Sequence, residues 1–134
     1  MSYRVFDNKE RKWLKKDEVF LSGFNNDLYA YGNGFFKKKK LELLSPARYI
    51  LHKDTGIVDK NNNLIYEGDI CELEFTKNGK HKCVIAYVPE RAAYIFFDDD
   101  TSSYYSYANG MSKYITIVGN VFDGVVDVGG GEGQ

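Results

Sequence analysis

The chain has 134 residues, 18 of them Lys or Arg and 19 Asp or Glu, which gives a formal net charge of −1. This near-balance argues against a surface built throughout for nucleic acid, and a hydrophobic content of 43% is too high for global disorder. Aromatic residues make up 16% of the chain and only 2 prolines occur, a composition that favours β-strands over helices.

The first part of the chain, residues 1–48, predicts a β-rich subdomain. Residues 3–6 alternate between apolar and polar, and the turn-forming cluster at 7–10 follows them, which is typical of a hairpin. Residues 13–21 fit a short amphipathic helix as well as a strand, and the spacing of their apolar side chains does not separate the two. A second hairpin is predicted around the turn at 23–27.

A run of four lysines gives this region its candidate site. Basic side chains next to exposed aromatic rings are the combination that proteins use to bind single-stranded nucleic acid. The alternative is an edge strand or loop that its lysines keep soluble, and the balanced total charge favours that alternative. The candidate nucleic-acid-binding residues are Phe35, Phe36, Lys37, Lys38, Lys39 and Lys40.

The second part, residues 49–128, predicts a small barrel of the SH3 type, because short strand patterns alternate with turns and no helix pattern stands out. Gly68 precedes an alternating strand, and we expect it to adopt a positive φ angle there. Asp69 is expected to hold the same turn through its carboxylate. The glycine-rich residues 129–134 predict a flexible tail.

The two cysteines lie on either side of a predicted hairpin turn at Asn78–Gly79. With these two residues at the centre of the turn, Cys83 falls opposite Glu74, and Cys71 falls opposite Ala86 on the other face. No disulfide is expected in that register. Two reduced thiols, no apolar signal core at the N-terminus and no run of ~18 apolar residues predict a cytosolic protein without a membrane partner.

Two segments of the sequence partly resemble metal-binding sites, but neither is predicted to bind a metal ion. Residues 59–63 resemble the start of a calcium-binding loop, but Leu64 and Ile70 stand where that loop needs a glycine and a bidentate glutamate. We therefore predict a β-turn rich in asparagine. The three aspartates at 98–100 are interpreted as a solvated acidic turn at the end of a strand rather than as a carboxylate site for a metal.

The sequence supports neither a zinc site nor a catalytic triad. The chain's His and Cys residues do not have the spacing of a structural zinc site. With two histidines and no nucleophile elbow, the sequence predicts no enzyme, no catalytic residue and no cofactor or metal. The four side chains considered for zinc are His52, Cys71, His81 and Cys83.

Three blocks of sequence, taken together, resemble one known family. They are residues 3–7 followed by Trp13, residues 55–70 with the sequence TGIVDKNNNLIYEGDI, and residues 117–123. In this order and spacing they resemble the YopX family of phage and prophage proteins. One departure is an asparagine, Asn62 or Asn63, where a glycine is usual, and asparagine also tolerates the left-handed conformation.

The resemblance implies an SH3-type barrel in the C-terminal part beside a separate N-terminal portion, a bacterial host cell, and no assigned biochemical role. The 21 aromatic residues exceed what one small core needs, and surplus Tyr and Phe mark interfaces. We therefore expect a non-catalytic protein-interaction module that binds another protein or itself. The alternative function is single-stranded nucleic-acid binding through residues 35–40.

Overall fold

The computed structural model describes residues 2–15, 19–21, 27–33, 39–76 and 79–125. Most of these residues lie in β-strands, and the predicted mainly β fold class is confirmed. The helical segments in these ranges are two single turns of 3₁₀ helix, Pro89–Arg91 and Met111–Tyr114. Neither has the length or the apolar character of a membrane-crossing helix.

Thirteen strands occur in the described part of the chain. They are β1 (Tyr3–Asp7), β2 (Lys12–Trp13), β3 (Val19–Leu21), β4 (Leu28–Asn33), β5 (Lys39–Leu43), β6 (Tyr49–Val58), β7 (Leu64–Tyr66), β8 (Asp69–Thr76), β9 (Gly79–Val88), β10 (Ala93–Asp98), β11 (Ser103–Ser106), β12 (Ile115–Asn120) and β13 (Gly124–Val125). The chain divides after His52 into two compact units, and β6 crosses that boundary.

The N-terminal unit, residues 2–52, contains two groups of strands. The β1–β2 hairpin pairs Phe6 with Trp13, and β1 also neighbours β6. A separate antiparallel sheet has the order β3-β4-β5. The described residues of the ambiguous segment 13–21 that have regular structure are in β2 and β3, so they adopt the strand alternative. The core of this unit is formed by Val5, Val19, Leu28 and Leu44.

The C-terminal unit, which begins at Lys53, is built on a six-stranded antiparallel sheet in the order β11-β10-β9-β8-β12-β13. This sheet curls into a half-barrel. Strand β7 pairs with the second half of β6. The side chains inside the half-barrel are fully or almost fully buried: Ile65, Cys71, Leu73, Cys83, Ile85, Phe96, Met111 and Ile115.

The turn before β8 has the predicted backbone conformation. Gly68 has a φ angle of 78°, in the left-handed region that residues with a Cβ resist. Its N–H donates to the carbonyl of Ile85 at 2.9 Å, and its own carbonyl accepts from the N–H of Val121 at 2.8 Å. The buried Asp69 carboxylate accepts the N–H of Tyr66 at 2.7 Å. The turn therefore joins β8 to β9 and to the end of β12.

The predicted register of the β8–β9 hairpin is wrong. Thr76 pairs with Gly79, so the pairing begins one residue earlier than expected, and a β-bulge between Leu73 and Thr76 shifts it further. Cys71 therefore lies directly opposite Cys83, and both side chains point into the same core. Side chains alternate between the two faces of a strand. A register shift by an odd number of residues therefore brings onto one face side chains that the predicted register placed on opposite faces.

Both cysteines are free thiols with no exposed surface. Burial raises the pKa of each thiol, that of Cys83 to about 12, and the nearby carboxylates of Asp69 and Asp98 add to the effect for Cys71 and Cys83 respectively. A thiol held in its neutral form behaves as a small apolar side chain. The pair therefore serves as core packing.

Candidate interaction surface

The lysine run lies mostly outside the described residues. Phe35, Phe36, Lys37 and Lys38 are not among them. The backbones of Lys39 and Lys40 belong to β5, where they pair with Asn33 and Gly32 of β4. The nucleic-acid hypothesis for residues 35–40 stays a prediction.

The acidic turn at residues 98–100 differs from its interpretation as fully solvated. Asp99 and Asp100 are exposed, but Asp98 is only 3% exposed. Its carboxylate accepts the N–H of Asp100 at 3.0 Å and lies 3.1 Å from Nδ1 of His81. Burial alone would raise the pKa of Asp98, but hydrogen bonds from His81, Thr101 and Asp100 outweigh it and hold the pKa below its ordinary value. The buried aspartate is thus a structural anchor of the turn.

The asparagine-rich turn after β6 is anchored in the same way. Oδ1 of the buried Asp59 accepts the N–H groups of Asn61 and Asn63 at 3.0 and 2.9 Å, and Oδ2 accepts that of Ile117 at 3.2 Å. Asn62 has a φ angle of 65°, the left-handed conformation expected where glycine is usual. Among the described residues no three His, Cys, Asp or Glu side chains form a group that could hold a metal ion.

Three tyrosines in the described part of the C-terminal unit are exposed within a short stretch of the chain. Tyr104, Tyr107 and Tyr114 are each between 36% and 47% exposed. Contiguous exposed aromatic side chains are uncommon on a surface that only faces water, and they mark sites of interaction. The three rings come from β11, from the segment that follows it and from the second 3₁₀ helix.

An open groove of about 560 Å³ is lined by two of these tyrosines, Tyr104 and Tyr114. We call it the tyrosine groove; its lining is formed by residues 104–106, 108–111, 113 and 114. Met111 closes its floor, because that side chain is buried and belongs to the core. The turn that carries Met111 is fixed by its N–H, which donates to the carbonyl of Ala108 at 3.0 Å, and by a φ angle of 82° at Gly110.

Two cations hold the rings at the groove. The Arg91 guanidinium lies 4.6 Å from the centre of the Tyr104 ring and also donates a hydrogen bond to its hydroxyl. The ammonium of Lys113 lies 5.2 Å from the centre of the Tyr114 ring. Such cation–π contacts are attractive by about 0.5–1 kcal/mol at exposed sites. They orient the two tyrosines and leave positive charge at the groove.

One wall of the groove is the edge of the sheet. On the described part of the chain β11 has a strand partner on one side only, β10, with Phe97 opposite Tyr104 and Phe96 opposite Tyr105. Tyr105 packs against the core while Tyr104 is exposed, as alternation along a strand requires. The sequence of β11, Ser-Tyr-Tyr-Ser, has none of the lysines or prolines with which proteins protect edges.

The sequence analysis did not identify this groove. The surplus of aromatic residues includes two consecutive tyrosines, Tyr104 and Tyr105, which must face opposite sides wherever they lie in a strand. That alternation was the available signal for one outward ring. The groove itself depends on the 3₁₀ helix Met111–Tyr114, which no periodic pattern marks.

A protein-family comparison now adds to the geometry. The family model described as YopX protein matches residues 2–124. The chain belongs to the YopX family. The match covers both units, and the resemblance carried by the three sequence blocks is therefore confirmed. No curated protein matches the chain.

A solved structure has a similar fold. Protein EF1440 from Enterococcus faecalis, known from a crystal structure, matches with a TM-score of 0.54 and 19% sequence identity, over 90% of this chain and 92% of that chain. At this identity the similarity concerns the fold and carries nothing about activity.

Proposed function

We propose that this YopX-family protein is a non-catalytic protein-interaction module whose contact surface is the tyrosine groove. The observation that carries the proposal is the combination of exposed tyrosines, a groove of about 560 Å³ and an unprotected sheet edge in one place. Tyrosine is enriched at protein interfaces because it buries a large apolar area and keeps a hydroxyl for hydrogen bonding.

The groove suits an extended polypeptide segment. A segment added along β11 would pair with the backbone groups of the edge strand, and its side chains would enter the groove at every second position. Arg91 and Lys113 at the rings favour acidic side chains in that segment. The segment belongs either to another protein or to a second copy of this chain, in which case the module self-associates.

We infer that the protein acts in the cytosol of a bacterial cell that carries a phage or prophage, and the family resemblance and the composition support this setting. A role without catalysis is consistent with the buried aspartates, whose carboxylates hold turns.

Two tyrosine variants test the proposal against a matched control. Tyr104→Ala combined with Tyr114→Ala removes the two rings that line the groove, whereas Tyr87→Ala removes an equally exposed tyrosine that does not line it. The native mass by light scattering and the affinity for peptides selected from a random library are measured for each protein. We expect the double variant to lose at least ~10-fold in affinity, as truncation of aromatic anchors does, and the control to bind normally.

The same measurements can overturn the proposal. A wild-type protein that is monomeric at high micromolar concentration and selects no peptide would contradict it. So would a selected peptide, or a dimer, that is equally insensitive to the double variant and to Tyr87→Ala.

A further inference from the structure

The charges of the chain are divided unequally between its two units. The N-terminal unit has eleven Lys or Arg and six Asp or Glu, a net charge of +5, whereas the C-terminal unit has seven and thirteen, a net charge of −6. The near-zero charge of the whole chain is the sum of two opposite halves. Composition alone therefore conceals a basic region.

The β1–β2 hairpin is a basic part of that unit. Residues 2–15 contain five Lys or Arg and two Asp or Glu. Four of the cations, at positions 9, 11, 12 and 15, are exposed. One of the two acids, Asp7, is buried and forms an ion pair with Arg48 at 2.8 Å, which leaves Glu10 as the exposed acid among residues 2–15.

The turn of this hairpin is fixed in place. Asp7 accepts the N–H groups of Lys9 and Glu10 at 3.0 and 3.2 Å, and Arg48 donates from Nε and Nη2 to its two oxygens at 2.8 Å each. The N–H of Asn8 donates to the carbonyl of Arg48 at 2.8 Å. Cations that a fixed turn presents lose less conformational freedom on binding than cations on a loose loop.

One face of the hairpin is a layer of arginines and aromatic rings. The Arg4 guanidinium lies 4.5 Å from the Trp13 ring centre, and the Arg11 guanidinium lies 4.8 Å from that of Phe6. The Phe6 and Trp13 rings meet edge to face at 5.0 Å, and the His52 ring lies 6.2 Å from Trp13. Trp13 is half-buried.

We propose that the β1–β2 hairpin is a binding surface for single-stranded nucleic acid. Lys9, Lys12 and Lys15 would neutralise phosphates, Lys12 from the face opposite Trp13 because it pairs with Asp7. Trp13 with its stacked arginine would receive an unpaired base. Single strands fit this surface better than duplexes because their bases are accessible for stacking on aromatic rings and guanidinium groups. This activity is independent of the tyrosine groove and of the lysine run at 37–40.

The test uses the full chain and a labelled oligothymidine of about 20 nucleotides. Lys9→Gln, Lys12→Gln and Lys15→Gln are combined in one variant. Its matched control combines Lys60→Gln, Lys80→Gln and Lys82→Gln, three exposed lysines of the C-terminal unit, so both proteins lose the same charge. Affinity is measured by fluorescence anisotropy at about 50 and 200 mM salt, the range over which phosphate contacts weaken strongly.

The expected result is a salt-dependent affinity that requires the hairpin. Three phosphate contacts would weaken single-strand binding by about 20-fold between the two salt concentrations. The hairpin variant should bind at least ~10-fold more weakly at low salt and show a smaller salt dependence, while the control should bind as wild type does.

The fluorescence of Trp13 provides a second measurement at the site itself, because Trp13 is the only tryptophan of the chain. A base that stacks on its ring should quench its fluorescence. Lack of binding at about 50 mM salt, unchanged Trp13 emission on binding, or equal losses in the two lysine variants would each overturn the proposal. Equal affinity for a duplex or for heparin would overturn the assignment to single strands. A loss caused only by substitution of Lys37–Lys40 would move the site to that segment.

Discussion

The turns of the β1–β2 and β10–β11 hairpins are each stabilised by a buried aspartate, but the second partner of that aspartate differs. Each turn starts at a buried aspartate, Asp7 or Asp98, whose carboxylate accepts N–H groups of the residues that follow. In the first hairpin the second partner is an arginine, Arg48, and in the other it is a histidine, His81. Buried aspartates therefore anchor turns in both units, and the partner decides how strongly the charge is held.

The arginine makes the first hairpin the more robust electrostatically. The Arg48 hydrogen bonds hold the pKa of Asp7 far below its ordinary 3.8, and Asp7 raises the pKa of Arg48. A carboxyl with a lowered folded-state pKa contributes stability that is present above the ordinary value and is lost as the pH falls through the folded value. The Asp7 pair should therefore persist well into acid.

Removal of Asp7 should have the largest effect. Asp7→Ala removes a buried carboxylate that accepts hydrogen bonds from two backbone N–H groups and from the Arg48 guanidinium, and donors that lose their acceptor are destabilising. We expect the melting temperature to fall by about 10 °C, measured by circular dichroism. Glu10→Ala, at an exposed position of the same turn, is the control, and similar shifts for the two variants would contradict this role of Asp7.

The second-largest effect on stability should come from a substitution in the turn at Gly68, which depends on backbone conformation. In Gly68→Val a Cβ is forced into a left-handed position at a cost of about 1–2 kcal/mol. We expect the melting temperature to fall by about 5 °C for a domain of this size. Gly130→Val, in the predicted tail, should leave it unchanged. If the two glycine variants melt alike, the turn is not the constraint that its φ angle indicates.

Asp98→Ala should cost less than Asp7→Ala, because Asp98 contacts one imidazole nitrogen of His81 whereas Asp7 accepts two hydrogen bonds from the permanently charged guanidinium of Arg48. At pH 8 we expect a fall in melting temperature of about 3 °C, the effect of a few lost hydrogen bonds. Asp99→Ala, at the exposed neighbour, should have no measurable effect. An Asp98 variant as unstable as the Asp7 variant would remove the distinction between the two hairpins.

The smallest effect concerns pH and the aromatic layer of the N-terminal unit. Burial, with a smaller contribution from Arg4, lowers the pKa of His52 from 6.5 to about 4. Between these values the unfolded chain binds a proton that the folded protein does not, so stability falls as the pH falls from 6.5 towards 4. The free energy of unfolding, measured by urea titration, should fall less between pH 7.5 and pH 4.5 for His52→Gln than for the wild type. Equal losses would show that His52 titrates normally.

Local signals in the sequence predicted the backbone of several turns. Gly68 has the positive φ angle expected of it, and of the two asparagines considered, Asn62 or Asn63, Asn62 has one. The residue type itself strongly influences the energy of that conformation. The strand patterns likewise predicted the mainly β class. These features depend on neighbours along the chain.

Features that depend on distant partners were not predicted. The predicted pairing of the two cysteines was wrong because one β-bulge changes which residues face each other over the rest of a hairpin. Asp98 was expected in water because aspartate favours such turns and stays solvated there. It is buried instead, and its carboxylate lies 3.1 Å from Nδ1 of His81 on another strand. The tyrosine groove needs a short helical turn placed beside β11, and no periodic pattern encodes that placement.

The opposed thiols of Cys71 and Cys83 give the two units separate reporters of unfolding. The only tryptophan, Trp13, lies in the N-terminal unit, and both cysteines lie in the core of the C-terminal unit with no exposed surface. A thiol reagent can reach them only when that core opens, so its rate of labelling follows the opening of one unit alone. Tryptophan emission follows the other. The two curves, recorded in the same denaturant series, distinguish a chain that unfolds in one step from one whose halves open independently.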